Sequence, residues 1–150
     1  MAKIQILTGS VGGRALQTAN AVAAFLNDQG HNVRVNSETT PADLLKDPDE
    51  ALLVCCSTTG NGELPPNIFP VFRALDDESV NLVNRVYGVI ALGDSSHHHF
   101  ANAGNAMDKA LSISGAKRVG DICTLDASKV DDHSLAAVEW ATGWVAKLAS

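Results

Sequence analysis

The chain has 150 residues, 45% of them hydrophobic and 19% charged, with a formal net charge of -6. A chain of this size buries about two-thirds of its unfolded surface, so one domain over residues 1–150 is expected. The acidic balance disfavours nucleic acid and anionic membrane as partners, and no apolar run approaches the roughly 20 residues of a spanning helix.

In chain order, Met1-Ala2-Lys3-Ile4 leads into a short apolar strand over residues 3–7 without a signal-peptide pattern, which points to the cytoplasm. Leu16, Ala19, Ala23 and Leu26 recur at helical spacing, predicting a helix over residues 15–29 that Gly30 closes. Residues 33–36 read as a second strand, and residues 41–45 as a weak turn or helix. The run over residues 51–56 is apolar on both faces, the mark of a buried parallel strand. Its Cys55-Cys56 pair lacks metal-ligand and CxxC spacing, and the three cysteines read as small core residues of a reducing compartment.

A helix over residues 67–75 follows, then a fourth strand over residues 85–92 and a helix over residues 102–114 that Gly115 stops. The last strand is expected over residues 119–125 and a terminal helix over residues 133–148, with Leu135, Val138, Ala141, Val145 and Leu148 in a stripe. Trp140 and Trp144, four apart, read as packing residues. Five strands alternating with helices imply an α/β fold, a doubly wound five-stranded parallel sheet in a three-layer α/β/α sandwich.

Three glycine- and hydroxyl-rich loops each follow an apolar run. They are Thr8-Gly9-Ser10-Val11-Gly12-Gly13-Arg14, Ser57-Thr58-Thr59-Gly60-Asn61-Gly62-Glu63 and Leu92-Gly93-Asp94-Ser95-Ser96. In an open α/β sheet such loops gather at the carboxyl ends of the strands, where phosphate-bearing ligands bind. The first loop can turn backbone amides towards an anion at a helix N-terminus, with Thr8 and Ser10 as hydroxyl donors. Neither GxGxxG nor the GxxxxGK[ST] of a P-loop is present, which disfavours dinucleotides and nucleoside triphosphates.

The order of these loops, the chain length and the terminal Glu139-Trp140 and Trp144 resemble the short-chain bacterial flavodoxins and the flavodoxin-like FMN domains of diflavin reductases. The segment from Ser57 to Asn67 resembles the STxGxGExPxN loop of those domains, and Ala91 to Ser96 their third loop. The resemblance implies a flavodoxin-like sheet holding FMN, with its phosphate on Ser10, Gly12 and Gly13 and with Thr8, Val11, Arg14 and Ala15 in the same cofactor site. It places the flavin ring among Ser57, Thr58, Thr59, Gly60, Asn61 and Gly62 on one side and Leu92, Gly93, Asp94 and Ser95 on the other. Gly60 is free to turn its carbonyl towards the ring nitrogen that gains a proton on reduction.

This chain departs from the family pattern twice. Arg14 and Ala15 stand where the family usually has an asparagine and a hydroxyl residue, exchanging a donor for a cation. His97 stands where related domains have a stacking tyrosine; His97 or His98 is expected to cover the flavin, with Phe100 as an anchor. The consecutive histidines do not converge on one ion, so no metal is expected.

The function implied is that of a low-potential one-electron carrier, not an enzyme, between a flavin reductase of the ferredoxin/flavodoxin NADP reductase type and an acceptor redox enzyme. A monomer is expected, and the acidic Glu63 and Asp94 would help to dock a basic partner. The alternatives are a flavodoxin-fold NAD(P)H:quinone-type flavin reductase and a non-redox flavodoxin-fold binding protein.

Overall fold

The computed structural model describes residues 2–10, 13–58, 64–93, 102–126 and 132–148. The described residues form six strands and four α-helices: β1 (Lys3–Gly9), α1 (Arg14–Asp28), β2 (Asn32–Asn36), β3 (Ala51–Ser57), α2 (Phe69–Asp76), β4 (Val86–Gly93), α3 (Asn102–Ile113), β5 (Lys117–Arg118), β6 (Cys123–Asp126) and α4 (His133–Leu148). A 3₁₀ turn, Pro41–Leu44, lies between β2 and β3. Glycines stop α1 and α3: Gly30 and Gly115 take positive φ, 94° and 97°, where a side chain would be strained.

The strands run parallel in the order β2-β1-β3-β4-β5, and β6 also pairs with β4. Alternate residues of each strand serve two cores. Ile4, Ile6, Leu53, Cys55, Ile90 and Leu92 face α1 and α4, whereas Leu7, Leu52, Val54, Cys56, Tyr87, Val89 and Ala91 face α2 and α3. The cysteines behave as core residues, and burial pushes the Cys56 and Cys123 thiols up to about 12.

No helix covers the β1–β2 quarter of the second face, and polar side chains fill it. Gln5 is fully buried; its Nε2 donates to Glu50 Oε1 at 2.9 Å and its Oε1 accepts from Asn36 Nδ2 at 3.0 Å. Arg34 donates to both Glu50 oxygens. Arg85 closes the layer from the start of β4, giving two hydrogen bonds to the Glu50 carbonyl and one to that of Leu44. Each buried donor thus has an acceptor, without which its burial would be costly.

Two expectations need correction. The single last strand over residues 119–125 is two short strands, because Gly120 turns at φ 75° between them. Lys117 and Arg118 pair with the lower half of β4, and Cys123–Asp126 with its upper half. Leu135 of the expected stripe is 57% exposed; α4 instead turns Ala137, Ala141, Trp144 and Val145 inward. The reason is Gly88 on β4, whose missing side chain admits the Trp144 indole. Trp140 stacks on Trp144 with ring centroids 5.8 Å apart.

Among the described residues, no helix is long and apolar enough to cross a membrane.

A Cβ at Gly88 would lie 2.5 Å from Trp144 Nε1. Gly88→Ala is therefore expected to lower folding stability by about 1–3 kcal/mol, the usual cost of adding a methyl to a packed core. The midpoint of urea denaturation measures it, and an unchanged midpoint would mean that the indole moves aside freely.

Candidate functional site

The register of the central strands aligns their carboxyl ends. Gly9 lies beside Cys56, Ser57 beside Leu92 and Gly93 beside Asp126, so the chain leaves β1, β3, β4 and β6 along one edge. The strand order reverses between β1 and β3, the point at which an open α/β sheet leaves room for a ligand.

One side chain outside the predicted site ties this edge together. Asn67 Oδ1 accepts from Ser10 N–H at 3.1 Å, and its Nδ2 donates to the carbonyls of Thr8 and Ser37 at 3.1 and 3.0 Å. The end of the second loop thereby fixes the first loop and the turn after β2. Asn67 closes the second-loop motif in the sequence, but its partners, up to 59 residues away, carry no sequence signal.

The predicted residues separate by what their side chains do. Thr8 is fully buried, with its hydroxyl 3.5 Å from the Asn36 carbonyl, and Ala15 and Leu92 are core residues, so these three reach the edge through backbone. Ser57 Oγ donates to the Gly9 carbonyl at 3.2 Å, linking β3 to β1. Thr58 Oγ1 accepts from Ala103 N–H at 3.1 Å, which holds the start of α3 against the second loop, while Thr58 N–H donates to the Leu92 carbonyl. Val11, Gly12, Thr59, Gly60, Asn61, Gly62, Asp94, Ser95, His97, His98 and Phe100 lie outside the described residues, as does Glu63.

The first loop has the chemistry of an anion seat. Gly13, at φ 82°, precedes α1; no side chain caps the helix and no acidic residue stands in its first turn. The free amides and dipole of such a helix start favour negative charge. Ser10 Oγ accepts from Gly13 N–H at 2.8 Å, which shapes the loop and leaves the serine's own proton to donate. Arg14, the first residue of α1, is exposed at the same point. This donor set fits the phosphate of a mononucleotide.

Fold and edge together define a doubly wound α/β protein with an anion-ready crevice at the switch in strand order. The Flavodoxin family pattern matches residues 6–140. Flavodoxin YqcA of Pectobacterium carotovorum subsp. carotovorum is 38% identical over 144 residues, which are 96% of this chain and 95% of that protein. The sulfite reductase flavoprotein alpha-component of Thiocapsa roseopersicina is 33% identical over 129 residues, 83% of this chain and 24% of that longer protein. Among solved structures, a flavodoxin variant from Pseudomonas aeruginosa is 32% identical with a TM-score of 0.91, and the match covers 99% of both chains.

The chain belongs to the flavodoxin family, itself a standard example of the 2-1-3-4-5 sheet with FMN at the β1/β3 switch. It is an FMN-binding electron carrier.

Removing the Asn67 amide leaves the Ser10 amide and two carbonyls without their partner. Asn67→Ala is expected to cost about 1–3 kcal/mol of stability and to speed hydrogen exchange at the Ser10 amide. Unchanged Ser10 exchange would show that Asn67 does not hold the loop.

Proposed function

We propose that the FMN phosphate is held by Ser10 and by the backbone of residues 11–15 at the start of α1, with Arg14 adding charge. The observation that carries this reading is the Ser10 hydroxyl, held by Gly13 N–H so that its own proton is available beside an uncapped, acid-free helix start. On this reading the flavin ring lies between the second loop, at residues 57–62, and the third, at residues 92–95, with His97 or His98 against it and Phe100 as anchor. Bound FMN supplies the one-electron chemistry, while the protein supplies position and electrostatics.

The carrier takes electrons from a flavin reductase of the ferredoxin/flavodoxin NADP reductase type at low potential and passes them to an acceptor enzyme in the cytoplasm. It works as a monomer and without an enzymatic activity of its own. The net charge of -6 supports docking to basic partners, chiefly through Glu63 and Asp94 on this reading.

Ser10→Ala is expected to weaken FMN binding by about 1–3 kcal/mol, the worth of a hydrogen bond to a charged group, and to leave riboflavin binding almost unchanged. Fluorescence quenching on titration with each flavin reads both affinities. Equal weakening of the two flavins would refute the phosphate seat. Steady NAD(P)H oxidation by the purified protein without added reductase would refute the carrier-only reading.

A further inference from the structure

His133 is the first residue of α4, as Arg14 is the first of α1. The two helices pack side by side on one face of the parallel sheet and both start at its carboxyl edge. The first residues of both helices therefore stand at that same edge, beside the phosphate seat proposed above. The His133 ring is half-buried, and its Nε2 is buried without a hydrogen-bond partner among the described residues. A buried ring nitrogen in that condition has a bond still to make.

Three charges face this ring. They are Arg14 at the start of α1, Asp132 in the turn that caps α4, and Asp126 at the buried end of β6, each near enough for its charge to act on the imidazole. Burial, followed by the charge of Arg14, holds His133 below the ordinary histidine value against the pull of Asp132 and Asp126. Arg14 has no ion-pair partner among the described residues. A phosphate beside Arg14 would bring about -1.5 to -2 charges against that one positive charge and so add to the pull of Asp132 and Asp126 on a proton at the imidazole.

We propose that His133 is a specificity residue for the flavin's phosphate: it takes up a proton when a phosphate occupies the first loop, and that proton tightens the hold on FMN but not on riboflavin. This rests on the phosphate seat proposed above. The coupling is reciprocal, so whatever the phosphate does for the proton, the proton does for the phosphate. The phosphate raises the pKa of His133 in the complex. The extra affinity is therefore absent at high pH, where the ring is neutral with or without ligand. It appears as pH falls through the His133 pKa of the complex, and it is complete below the pKa of the flavin-free protein. A tenfold gain in affinity accompanies a rise of about 1 in the pKa of the ring.

The phosphate's own protonation near pH 6 acts in the opposite direction, so the reading is the difference between the protein and its His133→Gln variant. The full chain and the variant are titrated with FMN and with riboflavin from about pH 5 to 8, across the histidine range. The His133 ring resonances are followed by NMR in the flavin-free, riboflavin-bound and FMN-bound protein. Relative to the variant, the protein is expected to gain about tenfold in FMN affinity across this range and nothing for riboflavin. The His133 titration should move up with FMN alone.

Tighter binding of FMN than riboflavin, with His133 titrating identically in both complexes, would overturn the inference and leave the phosphate seat standing. Equal affinity for the two flavins at every pH would overturn the seat and the inference together. If the variant does not fold, the NMR titration of the unaltered protein decides.

Discussion

The chain leaving β3 passes so close to the end of β1 that the two are in effect one structure. A Cβ at Gly9 would lie 2.7 Å from Ile68 Cγ2 and 3.0 Å from Cys56 Sγ, so only a residue without a side chain permits the approach. One residue before Ile68, the Asn67 amide spends both its donors and its acceptor on the backbone around β1 and β2. Ser57 adds a bond to the Gly9 carbonyl from the other strand. Because these links join groups far apart in sequence, the loops take a common geometry only when the sheet is complete. Ser10 and the end of β1 are thus held by tertiary contacts, not by the first loop alone.

The same edge shows how backbone and side chains share the work of a crevice. Thr8, Ala15 and Leu92 commit their side chains inward, which fixes where their amides and carbonyls stand. Ser10 and Arg14 are then left as the outward chemistry of the first loop. Below this edge, the layer around Gln5, Glu50 and Arg85 does for β1 and β2 what a helix does for β3 and β4. A glutamine in the middle of an apolar strand is the local cost of having only a 3₁₀ turn, and no helix, over that quarter of the sheet.

The repeating parts of this fold are legible in the sequence because burial imposes period: every residue of β3 from Ala51 to Cys56 is buried, and α1 follows its predicted stripe at Ala19, Ala23 and Leu26. What escapes a sequence reading depends on partners. The inward face of α4 excludes Leu135 because Gly88, 47 residues earlier, makes the room that lets Trp144 take the interior place. The break between β5 and β6 hangs on one glycine, Gly120, which the expected strand over residues 119–125 runs straight across. The partners of Asn67 and the surroundings of His133 are silent in the sequence for a related reason. An amide and an imidazole acquire meaning from what lies across the crevice, and composition or spacing gives no sign of it.

The divided fifth position of the sheet also governs what the molecule offers at that border. A foreign strand approaching along β5 meets two ladder positions, both occupied by exposed cationic residues, and then the bend at Gly120. Arg118 is further held sideways by its paired bonds to the Asp108 carboxylate, which also receives the Tyr87 hydroxyl. Short, charged and interrupted borders are poor templates for continued pairing between chains. A second copy of the chain thus finds little to pair with along β5.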